Sequence, residues 1–275
     1  MFSISCMVII ILILVYLHYY HTEVAESFEP KSILHLLESI CQSNIGQVQP
    51  CQEIPSVDCI YCIYMEDRYK YIQSRFNNYE VTNVTYVKAC TPLDLTIHDY
   101  KTYSTTMDEK SPIYKLLTKF PVHISYLACM YHAWKQKFDY IMIFEDDILF
   151  TEPLSELIRI SESFVKKNCG DVLYLGYCHL DCKANVEMID DDLIMLPYDA
   201  PIRCKHAMIH KMSYVDNFLK QHGALGQRSD VYFEKYYQKN KIKRVICRRP
   251  FIFQNRQELK SHNENWSPHL KICDF

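Results

Sequence analysis

Glycine is scarce here, with only 5 in 275 residues. No G-x-G-x-x-G and no G-x-x-x-x-G-K-[S/T] occurs anywhere, which excludes the two commonest backbone-built phosphate loops. Any phosphate bound by this chain must be held by side chains or by a metal. Long basic runs are missing too, and the formal net charge is −3. A nucleic-acid partner is therefore not expected. No internal repeat or low-complexity tract stands out. Cys59 and Cys62 have C-x-x-C spacing, but no second such pair follows. They sit in a strand-like run, where residues three apart point to opposite faces, so zinc or redox chemistry is not expected there.

Hydrophobic residues make up 49% and charged residues 23%, which suits a packed globular chain of one large domain or two small ones. There are 13 cysteines, and Cys6 lies in an N-terminal apolar run. The even remainder permits disulfides in an oxidising lumen without requiring them.

Residues 1–20 are almost wholly apolar. They fit a short membrane anchor or the core of a signal peptide, and no Lys or Arg flanks them to set an orientation. We expect a single-pass anchor with the rest lumenal, in the endoplasmic reticulum or Golgi; secretion after cleavage is the alternative. Residues 21–57 are expected to form a stem, interrupted by Pro30, Pro50 and Pro55, with a short helix over 32–40. Residues 58–275 form the folded domain. Asn83-Val84-Thr85 and Asn265-Trp266-Ser267 are N-glycosylation sequons if the chain is lumenal.

Within the domain, 58–64 is a strand, Glu66-Asp67-Arg68 opens a helix, and 81–90 is a second strand. That order predicts a parallel pair with a right-handed crossover. Phe120, Ile124, Leu127, Tyr131 and Trp134 fall on one helical face. Thr151 is expected to cap a helix running to 167. Strands are expected over 171–177, 205–209 and 242–247, and helices over 213–221 and 230–237. Asp190-Asp191-Asp192 reads as a hairpin tip in solvent. The whole is an α/β sheet sandwiched by helices.

The stretch 140–150 is the centre of the pattern. Five apolar residues lead into Glu145, Asp146 and Asp147, and three apolar residues follow. The first part reads as a strand buried on both faces. Three carboxylates at its end cannot stay buried and unpaired. A divalent cation, an Arg/Lys cluster or a turn in solvent each resolves the problem. Open α/β sheets bind ligands at the carboxyl ends of their strands, so a hard cation, Mn²⁺ or Mg²⁺, holding a phosphorylated ligand is the functional reading.

The order of these pieces resembles glycosyltransferase family 25, the lipooligosaccharide and procollagen galactosyltransferase-like enzymes. The match spans about 58–257. Ile60 to Arg68 resembles the opening strand and its polar turn with an arginine. Ala128 to Trp134, followed by 140–150, resembles the helix–strand–Glu-Asp-Asp block. Asp171 to Gly176 resembles a "D-hydrophobic-Y-L-G" strand. Residues 204–219 resemble the following strand and helix. Asp230 matches the acid that opens the next helix, and Phe253-Gln254 matches a late "F-Q" pair. Cys129-Met130 stands where members often carry Ser-His, and the arginine after the first strand is offset.

The resemblance implies a GT-A type fold with a mostly parallel central sheet, a nucleotide-sugar donor with UDP foremost, Mn²⁺ dependence and inversion at the anomeric carbon. It implies transfer of a hexose, galactose or glucose, to a hydroxyl on a glycan, a lipid-linked saccharide or a protein. Strand alternation assigns Glu145 and Asp147 to the metal, and Asp146 to the ribose or a supporting contact. Arg68 is the candidate for the donor phosphate, with pairing to Glu66 or Asp67 as its alternative. Asp230 is the candidate catalytic base, with a plain helix cap as its alternative. His206 is a further candidate for donor or metal. The competing classes are a non-catalytic lumenal binding protein of the same fold and, last, a nucleotidyltransferase.

Overall fold

The computed structural model describes residues 33–96, 113–177, 185–203, 205–220 and 229–255, together with 99, 179–180 and 259. The expected anchor, 1–20, lies outside the described residues, as does the sequon at Asn265. Among the described residues no helix is long and apolar enough to cross a membrane.

Strand β1 (Cys59–Tyr64) is followed by a 3-10 turn at Glu66–Arg68 and helix α2 (Tyr69–Asn78), then β2 (Val84–Lys88). Helix α3 (Ile113–Gln136) leads into β3 (Tyr140–Glu145). β1 pairs in parallel with both β2 and β3. The predicted β-α-β start is therefore present.

Eight strands form the main sheet, in the order β2-β1-β3-β10-β5-β11-β8-β7. Here β5 is Val172–Tyr174, β7 Glu187–Met188, β8 Leu193–Met195, β10 Ala207–Lys211 and β11 Arg244–Cys247. The pairings make six strands point one way, while β10 and β8 run against them. The sheet is mixed and mostly parallel in direction. Two short two-stranded antiparallel sheets lie outside it: β4 (Ile148–Phe150) pairs with β12 (Ile252–Gln254), and β6 (His179–Leu180) with β9 (Ile202–Arg203).

Alternation along β1 sorts its side chains onto two cores. Cys59 and Tyr61 join the core under α3, whereas Ile60 and Cys62 join the core under α2 and α4 (Leu154–Lys167). Thus Cys59 and Cys62 do face opposite ways. The first core is completed by Phe218 of α5 (Val215–Lys220) and by Phe233, Tyr236 and Tyr237 of α6 (Ser229–Asn240).

Three expectations are corrected. The stretch 140–150 is not one strand: it breaks at Asp146-Asp147, and 148–150 leaves the sheet to pair with β12. Apolar residues on both sides hid that break. Thr151 does not cap α4; the N-cap is Pro153, and the Thr151 hydroxyl donates to the Phe251 carbonyl at 2.8 Å. The Asp190–Asp192 tip is indeed a hairpin turn, yet it docks on α4. Lys167 and Ser163 bond Asp190, and Arg159 bonds both Asp192 and Glu156.

The stretch 33–57, expected as part of a stem, packs onto the domain. Helix α1 (Ile33–Asn44) buries Ile33, Leu37 and Ile40. Its Glu38 carboxylate accepts from Tyr131 (2.6 Å) and Lys135 (2.7 Å) of α3. The periodicity of 33–40 that predicts a helix is the face that covers α3.

Candidate functional site

The acidic turn sits at the carboxyl edge of the sheet, where β1, β3, β5 and β11 all end. Its three carboxylates go three different ways.

Asp146 turns back into the protein and is only 6% exposed. Its Oδ1 accepts from Arg68 Nη1 at 3.0 Å, and its Oδ2 accepts from the Met65 backbone N–H at 2.6 Å. Arg68 is buried with it, at 8% exposure. Because β1 and β3 are parallel neighbours, the turn after β1 lies beside the turn after β3, and the two residues meet across that seam. Burial pushes the Asp146 carboxyl pKa up; the Met65 N–H and the Arg68 charge pull it back only in part. Arg68 and Asp146, predicted to touch the donor, are tied to each other. Of the expected alternative partners of Arg68, Glu66 pairs with Lys88 at 2.9 Å.

Glu145 is half-buried and ends β3 on the α3 side. Its backbone N–H donates to the His206 carbonyl at 2.9 Å. Below it lies a buried polar pillar. Tyr126 Oη meets His210 Nε2 at 2.7 Å, His210 Nδ1 meets Tyr214 Oη at 2.6 Å, and Tyr214 Oη meets Tyr237 Oη at 3.2 Å. Burial, then the Lys205 charge, push the His210 pKa down to about 3, so its imidazole is neutral. The buried Lys205 ammonium lies 4.0 Å from the Tyr126 ring centre and 5.4 Å from that of Phe233.

Asp147 is half-buried and faces β12. Gln254 Nε2 lies 3.4 Å from its Oδ1 and 3.3 Å from its Oδ2. The Asp147 carbonyl accepts the Asn255 backbone N–H at 2.5 Å, and Asn255 Nδ2 donates to Tyr71 Oη at 2.7 Å. Strand β12 is itself fixed from below: the His206 ring Nε2 lies 2.9 Å from the Ile252 carbonyl. His206 is thus a buried support under β12. Gly176 permits this approach, because a Cβ there would overlap both the Ile252 carbonyl and the His206 ring.

Asp230 lies in the first turn of α6, as predicted; its side chain is outside the described residues. Among the described residues no group of three His, Cys, Asp or Glu side chains is gathered as a metal cage. Mg²⁺ and Mn²⁺ do not need one, since they are commonly held by one or two carboxylates with water and substrate phosphates completing the shell. Glu145 and Asp147 are hard oxygen donors of the kind such a cation takes, one on either side of the turn.

Sequence reasoning missed Asn255, Tyr71 and the pillar entirely, and it missed the pairing of Arg68 with Asp146. One signal was available for that pair. Two parallel strands in a β-α-β unit end side by side, so an arginine just past one and a carboxylate just past the other are placed to meet.

No family model matches the sequence. No curated protein matches it either. Among solved structures, the crystal structure of apo UDP-glucose pyrophosphorylase shares 11% identity at a TM-score of 0.36, covering 69% of this chain and 72% of that one. A likeness at that level assigns neither family nor activity, and the resemblance to glycosyltransferase family 25 rests on the order of its motifs.

Proposed function

We propose that this chain is a glycosyltransferase of GT-A type, moving a hexose, galactose or glucose, from a nucleotide diphosphate sugar to a hydroxyl on a glycan, a lipid-linked saccharide or a protein. UDP-sugar is the first donor to test. The observation that carries the reading is the split of the acidic turn. Asp146 is withdrawn and given its own cation, Arg68, while Glu145 and Asp147 flank it at the carboxyl edge of the sheet. Three adjacent carboxylates repel one another, and a solvated turn would have no need to lock the middle one into the core.

Glu145 and Asp147 would hold Mn²⁺ or Mg²⁺. When bound, such a cation neutralises charge on the departing diphosphate. The Arg68–Asp146 pair fixes the turn that carries the two flanking carboxylates. The acceptor hydroxyl needs a base to take its proton as the new bond forms, and Asp230 at the start of α6 is the assigned group. Transfer in one displacement inverts the anomeric carbon. The N-terminal apolar segment would hold the domain on a membrane, facing the lumen of the endoplasmic reticulum or Golgi.

The test is a panel of nucleotide sugars incubated with the full chain, with Mn²⁺ and with EDTA. Hydrolysis of one donor that needs Mn²⁺ supports the reading and names the sugar. A folded protein that binds Mn²⁺ and a nucleotide sugar without turnover points to a binding protein instead. A folded protein that binds neither overturns the reading.

A further inference from the structure

We infer that Gln254 is a positioning residue for the Asp147 carboxylate, aligning it for the cation; this rests on the reading above. Asp146 and Asp147 are neighbours in sequence and are treated oppositely. Asp146 receives a guanidinium at 3.0 Å and a backbone N–H at 2.6 Å, so its charge is spent inside the protein. Asp147 receives the neutral amide of Gln254, at 3.3 and 3.4 Å. An ionised carboxylate only accepts hydrogen bonds, so the amide must present its NH₂ group. Contacts this long and evenly shared set the rotation of the carboxylate without neutralising it. Each oxygen keeps lone pairs for a further partner. A lysine or arginine at position 254 would instead compete with any cation for the same charge.

The strand that carries Gln254 is bonded on both sides of it. Residue 254 pairs with Ile148 across the antiparallel β4–β12 pair, immediately after the acidic turn. Asn255 is buried and bound to both Asp147 and Tyr71, and Ile252 is held by His206. Gln254 therefore sits between two fixed points, and its amide is delivered to Asp147 from a strand 107 residues away in sequence. Partners that orient metal ligands in this way typically change metal affinity 10- to 100-fold when removed.

The experiment is isothermal calorimetry of Mn²⁺ on the full chain, with thermal unfolding of each protein alongside. The proteins are the parent, Asp147→Asn, Gln254→Met and Gln254→Ala. Methionine keeps the length of glutamine and removes the amide. The parent should bind Mn²⁺ and Asp147→Asn should not. Both Gln254 variants should bind about 10- to 100-fold more weakly, while the unfolding midpoint moves only a few degrees. If the parent and Asp147→Asn behave as expected but both Gln254 variants bind like the parent, the role of Gln254 is overturned and the transferase reading stands. If both Gln254 variants fail to fold, the residue holds the β4–β12 pair rather than the carboxylate, and the inference is overturned. If the parent itself binds no Mn²⁺, the cation reading falls and this inference falls with it.

Discussion

Arg68 Nη1 and Asp146 Oδ1 lie 3.0 Å apart across the seam between two parallel strands, both side chains buried, 78 residues apart in sequence. The contact fastens the turn after β3 to the turn after β1. A buried pair of this kind contributes little net stability by itself, because desolvation offsets the attraction. Removing one partner is costly, because it strands the other's charge.

Arg68→Met should therefore destabilise the domain by about 3–5 kcal/mol near neutral pH. The folded-state pKa of Asp146 is already raised, chiefly by burial, so ionising it costs stability as pH rises through that window. Without Arg68 the cost grows. Denaturant unfolding of Arg68→Met should show stability recovering as pH falls toward the carboxylate range, and adding Asp146→Asn should recover part of the loss at neutral pH. A variant as stable as the parent at every pH would show that the pair holds nothing in place.

Glu53 tests whether 33–57 belongs to the domain. Burial pushes its carboxyl pKa up, but hydrogen bonds from the Thr82 hydroxyl and backbone and from Asn83 outweigh this, leaving it near about 2. A lowered carboxylate pKa gives stability that is full above its ordinary value and is lost as pH falls toward about 2. Glu53→Ala should lose roughly 1–2 kcal/mol at neutral pH, after allowing for partial exposure. The difference from the parent should shrink in acid. A difference that does not change between neutral pH and pH about 3 would contradict the assignment.

His210 makes the opposite end of the acid limb. Its folded pKa, lowered to about 3, means the folded state resists the proton that an unfolded histidine takes up near 6.5. Stability should fall by about 1.4 kcal/mol per pH unit below that point from this residue alone. Replacing it with Gln should lower stability at pH 7, by leaving Tyr126 and Tyr214 less well paired, yet flatten the decline between pH 6 and 4. An unchanged slope would mean that the pillar is hydrated rather than dry.

Gly176→Ala should act at a distance. The added methyl meets the Ile252 carbonyl and the His206 ring, so β12 must shift. We expect a loss of roughly 1–3 kcal/mol. Mn²⁺ affinity should weaken as well, because Gln254 and Asn255 move with the strand. Loss of stability with full Mn²⁺ affinity would uncouple β12 from the acidic turn.

Local elements were legible in the sequence wherever period and partner are both near. The 3.6-residue face running from Phe120 to Trp134 became α3, and the opposite-facing Cys59 and Cys62 became two cores. The break at Asp146-Asp147 was hidden, because a run of apolar residues resumes at Ile148 and alternation alone carries straight through it. The reversed direction of β10 has no local signature: His206 to His210 looks the same in either sense. The contacts that shape the site join residues 78 and 107 positions apart, and side-chain pairing over such separations is decided by topology rather than by any window of sequence. That Asp146 points inward while Asp147 faces β12 follows from the turn between them, which a strand-end alternation could only approximate.

The most direct measurement is donor hydrolysis by the full chain and by Asp147→Asn, each with Mn²⁺ and with EDTA, across a panel of nucleotide sugars, with circular dichroism on both proteins. We expect Mn²⁺-dependent cleavage of one donor by the parent and a fall of at least about 100-fold in Asp147→Asn, with the fold retained. Equal, Mn²⁺-dependent activity in both proteins would contradict it.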